Sequence, residues 1–250
     1  MFFGCAFLST GVIYAVLEYK PGLWMRAIYF SPSMLSPMGT LFALLVVFTA
    51  AQVWSDTDRA TAAVAQEASA LRAVLILAAA FPPQSRDRLE TLVHGHIEEV
   101  ATREWPMMAH KKATLEIVPR HLAEALQLTL ALTPTSQGQG VAQREITVEL
   151  ESALEARRQR ILISESSVSF VKWVCLVVEA ICVLIAIALS HAGKRTSALA
   201  AMGLFATGAG ACFFLIAAYD RPFVGQISIR PDPLLQVMPQ RLSPLLDSKQ

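Results

Sequence analysis

A carboxylate stands where a charge costs most. Glu179 lies midway through FVKWVCLVVEAICVLIAIALS, with VCLVV before it and AICVLIAIAL after it. An ionised group at the centre of such a span costs at least about 2.5 kcal/mol unless it is protonated, paired or wet. Two chemistries follow: an ion or proton site facing a water-filled path, or a neutral carboxyl bonded to a neighbouring helix through Thr207, Ser9, Thr10 or Tyr14. A second polar set, Thr49, Gln52, Asp56 and Arg59, recurs at intervals of three and four and so shares one helical face. Facing a symmetry axis, it would line a conduit with a charged mouth. Otherwise it caps a helix that leaves the membrane.

Other chemistry-bearing residues point to simpler roles. HGHIEE places His94 and Glu98 four apart, with His96 between them, but HExxH is absent and no third ligand has suitable spacing. A solvated helix face is expected and no metal site. Arg157, Arg158 and Arg160 read as a basic collar near anionic lipid. Cys5, Cys175, Cys182 and Cys212 all fall in apolar stretches without CxxC spacing, as small packing residues would. GxSxG, phosphate-loop and GxGxxG motifs do not occur in a supporting context. No enzyme and no cofactor is indicated.

The elements that must position these residues are helical and largely apolar. Hydrophobic residues make up 54% of the 250 and charged residues 16%, with mean hydropathy +0.47. That is too apolar for an ordinary soluble domain, so an integral membrane protein is expected. Net charge is +1, which leaves no basic footprint for nucleic acid. From Gly39 to Pro82 there is neither Gly nor Pro, and Ser36 with Pro37 opens the run as cap and first-turn proline. One helix over 36–81 is predicted. At 1.5 Å per residue it would be roughly 70 Å long, against about 30 Å of hydrocarbon, so it crosses the membrane and continues into water beyond Trp54.

A retained first span is expected over 1–19, where neither a positive n-region nor an A-x-A site is present. An interfacial loop with Trp24, Tyr29 and Phe30 follows it. Beyond the membrane, helices are predicted from near Ser85, over 119–132 and over 141–164, with a kink or break at Pro106 and a loop at TPTSQGQG. Spans three and four are predicted over 170–190 and 197–219. The fourth carries Gly203, Ala206, Gly208 and Gly210 as a close-packing set. The Pro-rich residues 221–250 are expected to form a tail along the helical domain. The fold class is therefore all-α, a four-span bundle with a cytoplasmic helical domain. Its divisions are 1–56 for spans one and two, 57–165 for the domain, 166–220 for spans three and four, and 221–250 for the tail.

Even parity puts both termini on the domain's side. Arg59, Arg157, Arg158, Arg160, Lys172, Arg221 and Arg230 flank that side, against Lys20, Arg26, Lys194 and Arg195 opposite. The positive-inside rule makes it cytoplasmic, which places the spans in an inner (plasma) membrane.

The ordered set GTLFALLVVFTAAQVWSDTDRATAAVAQEASALRAV, EWPMM, ARRQRI and DRPFVG resembles a bacterial membrane family of unknown function described as bestrophin-like. The resemblance runs from Gly39 to about Pro233. It implies a pentameric, ion-conducting, four-span assembly with the pore lined by the helix over 36–81. The constriction would then lie among Phe42, Val46, Phe48 and Thr49, and the ion pathway would include Phe42, Val46, Thr49, Gln52, Asp56, Arg59 and Glu179. The chain departs from bestrophins in having no aromatic neck before Trp54 and no acidic cluster like their calcium clasp. The partners expected are the bilayer, further copies of the chain and small inorganic ions. The competing expectation is a non-conducting scaffold or sensor whose helical domain docks a partner.

Overall fold

A computed structural model of the chain describes residues 2–19, 35–191, 195–225 and 227–238. Among these, every regular element is a helix. The interfacial loop expected after the first span, and the last twelve residues of the tail, lie outside the described residues. The chain divides into two compact units, Met1–Ser55 with Ser167–Asp220 and Asp56–Ser166 with Arg221–Gln250.

The first, apolar unit holds α1 (Phe2–Tyr19), the first part of α2 (Leu35–Ala78), α7 (Phe170–Ser190) and α8 (Arg195–Tyr219). Among the described residues, three helices are long and apolar enough to cross a membrane: α2, α7 and α8 within Thr196–Tyr219. α1 packs along α8 and α7. Phe42 of α2 is buried among Ala180, Val183, Leu184 and Ile187 of α7 and Met202 and Ala209 of α8. Its ring meets Phe205 at 5.3 Å and Phe213 at 6.3 Å. Ser169 caps α7 by accepting from the Lys172 backbone N–H, while Asp220 accepts the Val168 N–H at 2.6 Å.

The second, polar unit is built on the rest of α2, with α3 (Pro83–Glu99), a π-helical turn (Val100–Glu104), α4 (Trp105–Ala109), α5 (Arg120–Ala131), α6 (Gln137–Glu165) and the short α9 (Asp232–Leu235). Its core joins Val64, Leu71 and Val74 of α2 to Leu89, Val93 and Ile97 of α3, Leu122 of α5, and Ile146, Leu150 and Ile161 of α6. α2 ends at Ala78, three residues short of the predicted limit, in turns that lead to Pro82 and Pro83.

Two local expectations are corrected. Of the kink or break expected at Pro106, the break does not occur, and the helix runs on through a π-helical turn. The Trp105 backbone N–H reaches back five residues to Val100 O, and this one-residue widening accommodates a proline that has no N–H and crowds the preceding turn. The loop before α6 is shorter than TPTSQGQG, because Ser136 caps the helix by accepting the Gln139 N–H. The Gln139 side chain in turn accepts from the Thr135 N–H and hydroxyl, each at 2.8 Å, so QGQG becomes the first helical turn despite its glycines.

Residues 221–238 lie on the polar unit. Gly225 takes φ +97°, a left-handed conformation that admits glycine freely, and the reversal lets Ile229 N–H bond Pro222 O at 2.8 Å. Trp105 then donates its indole N–H to Ile229 O at 3.2 Å, and its ring stacks edge-on to Phe223 at 5.5 Å.

Candidate functional site

The polar unit encloses an ionic cluster in its core. Glu67 on α2 has no exposed side-chain surface and neither has Arg160 on α6; the two meet at 2.9 Å from Nε to Oε2 and 3.3 Å from Nη2 to Oε1. His96 of α3, also buried, brings Nε2 to 3.0 Å from the same Oε1. Arg160 Nη2 extends 3.4 Å to Glu104 Oε2, and its guanidinium lies 5.1 Å from the centre of the Trp105 ring. Arg157 joins Glu104, with Nε 3.1 Å from Oε1 and 3.3 Å from Oε2, and donates Nη2 to Ile117 O. The better-aligned bond runs to Oε2, leaving Oε1 without an aligned donor among the described residues.

Electrostatics hold this cluster charged. Burial pushes the Glu67 carboxyl up, but the Arg160 guanidinium and the His96 hydrogen bond outweigh it and hold the group down at about 2. Burial likewise lowers Arg160, and Glu67 with Glu104 more than restores it, so its proton is held more tightly than usual. Two carboxylates thus balance two guanidiniums. Beside them is a cavity of about 30 Å³, room for a water or so, lined by His96, Glu99, Val100, Arg103, Glu104, Thr114 and Arg157 among others.

These placements correct two sequence expectations. Arg157 and Arg160 are interior ion-pair partners, and of the basic trio only Arg158 is well exposed, beside Glu155. His96 is a core residue, not part of a solvated face. Spacing carried the signal: Arg157 and Arg160 lie on the stripe of Ile146, Leu150, Ala153, Ile161 and Ser164, as Glu67 lies on that of Ala60, Val64, Leu71 and Val74.

In the apolar unit the expected pathway residues separate. Phe42 and Thr49 are buried within the unit, and the Thr49 hydroxyl bonds Leu45 O at 2.8 Å. Val46 is half-buried, and so is Gln52, whose Oε1 accepts a hydrogen bond from Lys172 Nζ of α7. Glu179 is half-buried on α7. In the polar unit Asp56 is mostly buried and pairs with the more exposed Arg59 one turn on. The face of α2 left open in the apolar unit carries Leu41, Leu44, Val47, Phe48 and Trp54, a continuous apolar stripe at helical spacing. Of the small residues on α8, Ala206 is buried, and a Cβ at Gly210 would come within 3.0 Å of the Phe3 ring. A Cβ at Gly203 or Gly208 would meet nothing within 4 Å.

Comparison with known proteins bears on what this arrangement does. A Bestrophin-like domain model matches residues 30–234. The fold is similar to two crystal structures of a bacterial bestrophin homologue from Klebsiella pneumoniae, each carrying a point mutation. Their TM-scores are 0.69 and 0.72, each at 11% sequence identity, with 94% of this chain covered and 94% and 96% of theirs. No curated protein matches the chain.

Proposed function

Because this chain belongs to the Bestrophin-like family, we propose that it is a membrane ion channel: a homo-oligomer, pentameric by analogy with bestrophins, with α2 from each copy lining one pore. The chief support is the open face of α2. Leu41, Leu44, Val47, Phe48 and Trp54 form an apolar stripe that no other helix of the described chain covers. In a ring of copies, such a stripe either packs against the next copy or forms an apolar constriction that gates by dewetting. In this reading Val47 and Phe48 stand at the constriction; of the four residues that the family resemblance offered there, Phe42, Val46, Phe48 and Thr49, only Phe48 lies on the open face. Val46, Gln52 and Glu179 sit at the edges of the path, and Asp56 and Arg59 form the charged mouth where α2 enters water.

The finer topology belongs to the same proposal. α1 is the fourth span, the polar unit and both termini are cytoplasmic, and the membrane is the bacterial inner membrane. The test is the mass of the assembly in detergent, by light scattering or native mass spectrometry, followed by recording from the same sample in planar bilayers. Five copies with discrete conductance steps are expected. A monomer or dimer that stays silent would leave the scaffold reading.

A further inference from the structure

Of the basic residues that the sequence placed near lipid, Arg157 and Arg160 are spent on interior ion pairs. Two other cations of the polar unit, Lys111 and Arg221, line one shallow recess together with Met108, Ser164 and Phe223. Arg221 is exposed and Lys111 half-exposed. Among the described residues neither takes part in an ion pair. Two carboxylates adjoin the recess along the chain: Asp220, which accepts the Val168 N–H, and Glu165 at the end of α6. Neither of these carboxylates pairs with Lys111 or Arg221.

Both cations stand on backbone that is fixed from either side. Lys111 follows α4 with φ +55°, a left-handed conformation that crowds a Cβ and that glycine usually fills. Its N–H bonds Met108 O at 3.0 Å, and the Lys112 N–H bonds Met107 O at 2.8 Å, which closes the turn. A lysine kept where glycine would relieve the backbone points to a use for its ammonium. Beside Arg221, Asp220 is held by the Val168 N–H and Pro222 O accepts the Ile229 N–H at 2.8 Å. Phe223 is buried against the Trp105 ring. Two unpaired cations held in this way need little ordering to receive an anion.

Chain length alone keeps Arg221 near the membrane. It is two residues beyond Tyr219, the end of a helix long and apolar enough to span. Two residues reach at most about 7 Å, and the headgroup layer is about 5–8 Å deep on each side of the hydrocarbon.

We propose that Lys111 and Arg221 form a binding site for the phosphate of an anionic phospholipid headgroup. The Arg221 guanidinium takes two phosphate oxygens side by side, and the Lys111 ammonium meets the same group as a point charge. The site requires that α8 span the membrane and not that α2 line a pore. A protein that binds the lipid but stays silent in recordings would refute only the channel.

Native mass spectrometry of the full-length protein in detergent, titrated with phosphatidylglycerol or with phosphatidylcholine, tests the site. The tightest phosphatidylglycerol site per chain is expected to be at least about tenfold stronger than that for phosphatidylcholine, since each cation near an anionic headgroup is worth about fivefold. Lys111→Gly, which eases the backbone as it removes the charge, and Arg221→Gln are each expected to weaken phosphatidylglycerol about fivefold and to leave phosphatidylcholine unchanged. Arg88→Gln, at an exposed cation near the start of α3, is expected to change neither. Should Arg221→Gln not assemble, Lys111→Gly decides. Equal affinity for the two lipids overturns the proposal. So does a phosphatidylglycerol preference that survives either substitution or falls as much with Arg88→Gln. Displacement of the lipid by equimolar inorganic phosphate would assign the recess to a soluble anion and overturn it as well.

Discussion

Glu67 and Arg160 form a fully buried ion pair in the polar unit. Removing one partner of a buried pair strands the other, so Glu67→Gln should lower stability by about 3–5 kcal/mol in a denaturant or thermal melt. Replacing both with apolar residues of similar size, as in Glu67→Leu with Arg160→Met, should recover much of that loss, because no buried charge is then left unmatched. The same pair sets an acid limit. The folded Glu67 carboxyl is held at about 2, below its unfolded value of 4.5, so its contribution is complete above that unfolded value and is lost as pH falls toward 2. Melts between pH 5 and pH 2 should decline more steeply in the wild type than in the double variant. None of this pairing can be seen along the chain, because Glu67 lies 29 residues from His96 and 93 from Arg160. What can be seen is that each polar residue interrupts an apolar stripe, and charged residues on such stripes imply buried partners.

Among the elements, α2 was the most legible. A run without helix breakers from Gly39 to Pro82 can only be read as one long helix, and it spans Leu35–Ala78. The π-helical turn was less so. Pro106 signalled a disturbance, but whether a helix breaks or widens depends on packing that holds both ends, here Val100 and Trp105 in the core. The small residues of α8 show a different limit, since spacing identifies a face without identifying what meets it. Gly210→Val should push into Phe3 and cost about 1–3 kcal/mol within a single chain. Gly203→Val finds open space in the chain, so it should leave the melting of the monomeric unit unchanged. If it instead disrupts assembly on size-exclusion chromatography, that face lies between copies.

For the whole molecule, the sequence motifs and the fold agree on family: the Bestrophin-like model covers residues 30–234, and the fold follows that of a bacterial bestrophin homologue at only 11% identity. The side chains that face a path were not legible, because a membrane helix is apolar all round and periodicity does not distinguish lipid, neighbour and pore. Burial divides α2 into an inner face with Phe42 and Thr49 and an open one with Val47 and Phe48. The channel account therefore rests most directly on single-channel recording of the purified assembly in planar bilayers, with Phe48→Ala measured beside the wild type. It predicts discrete conductance steps in the wild type, with larger conductance or longer openings once the apolar constriction is widened. An intact assembly that passes no current in either form would contradict it.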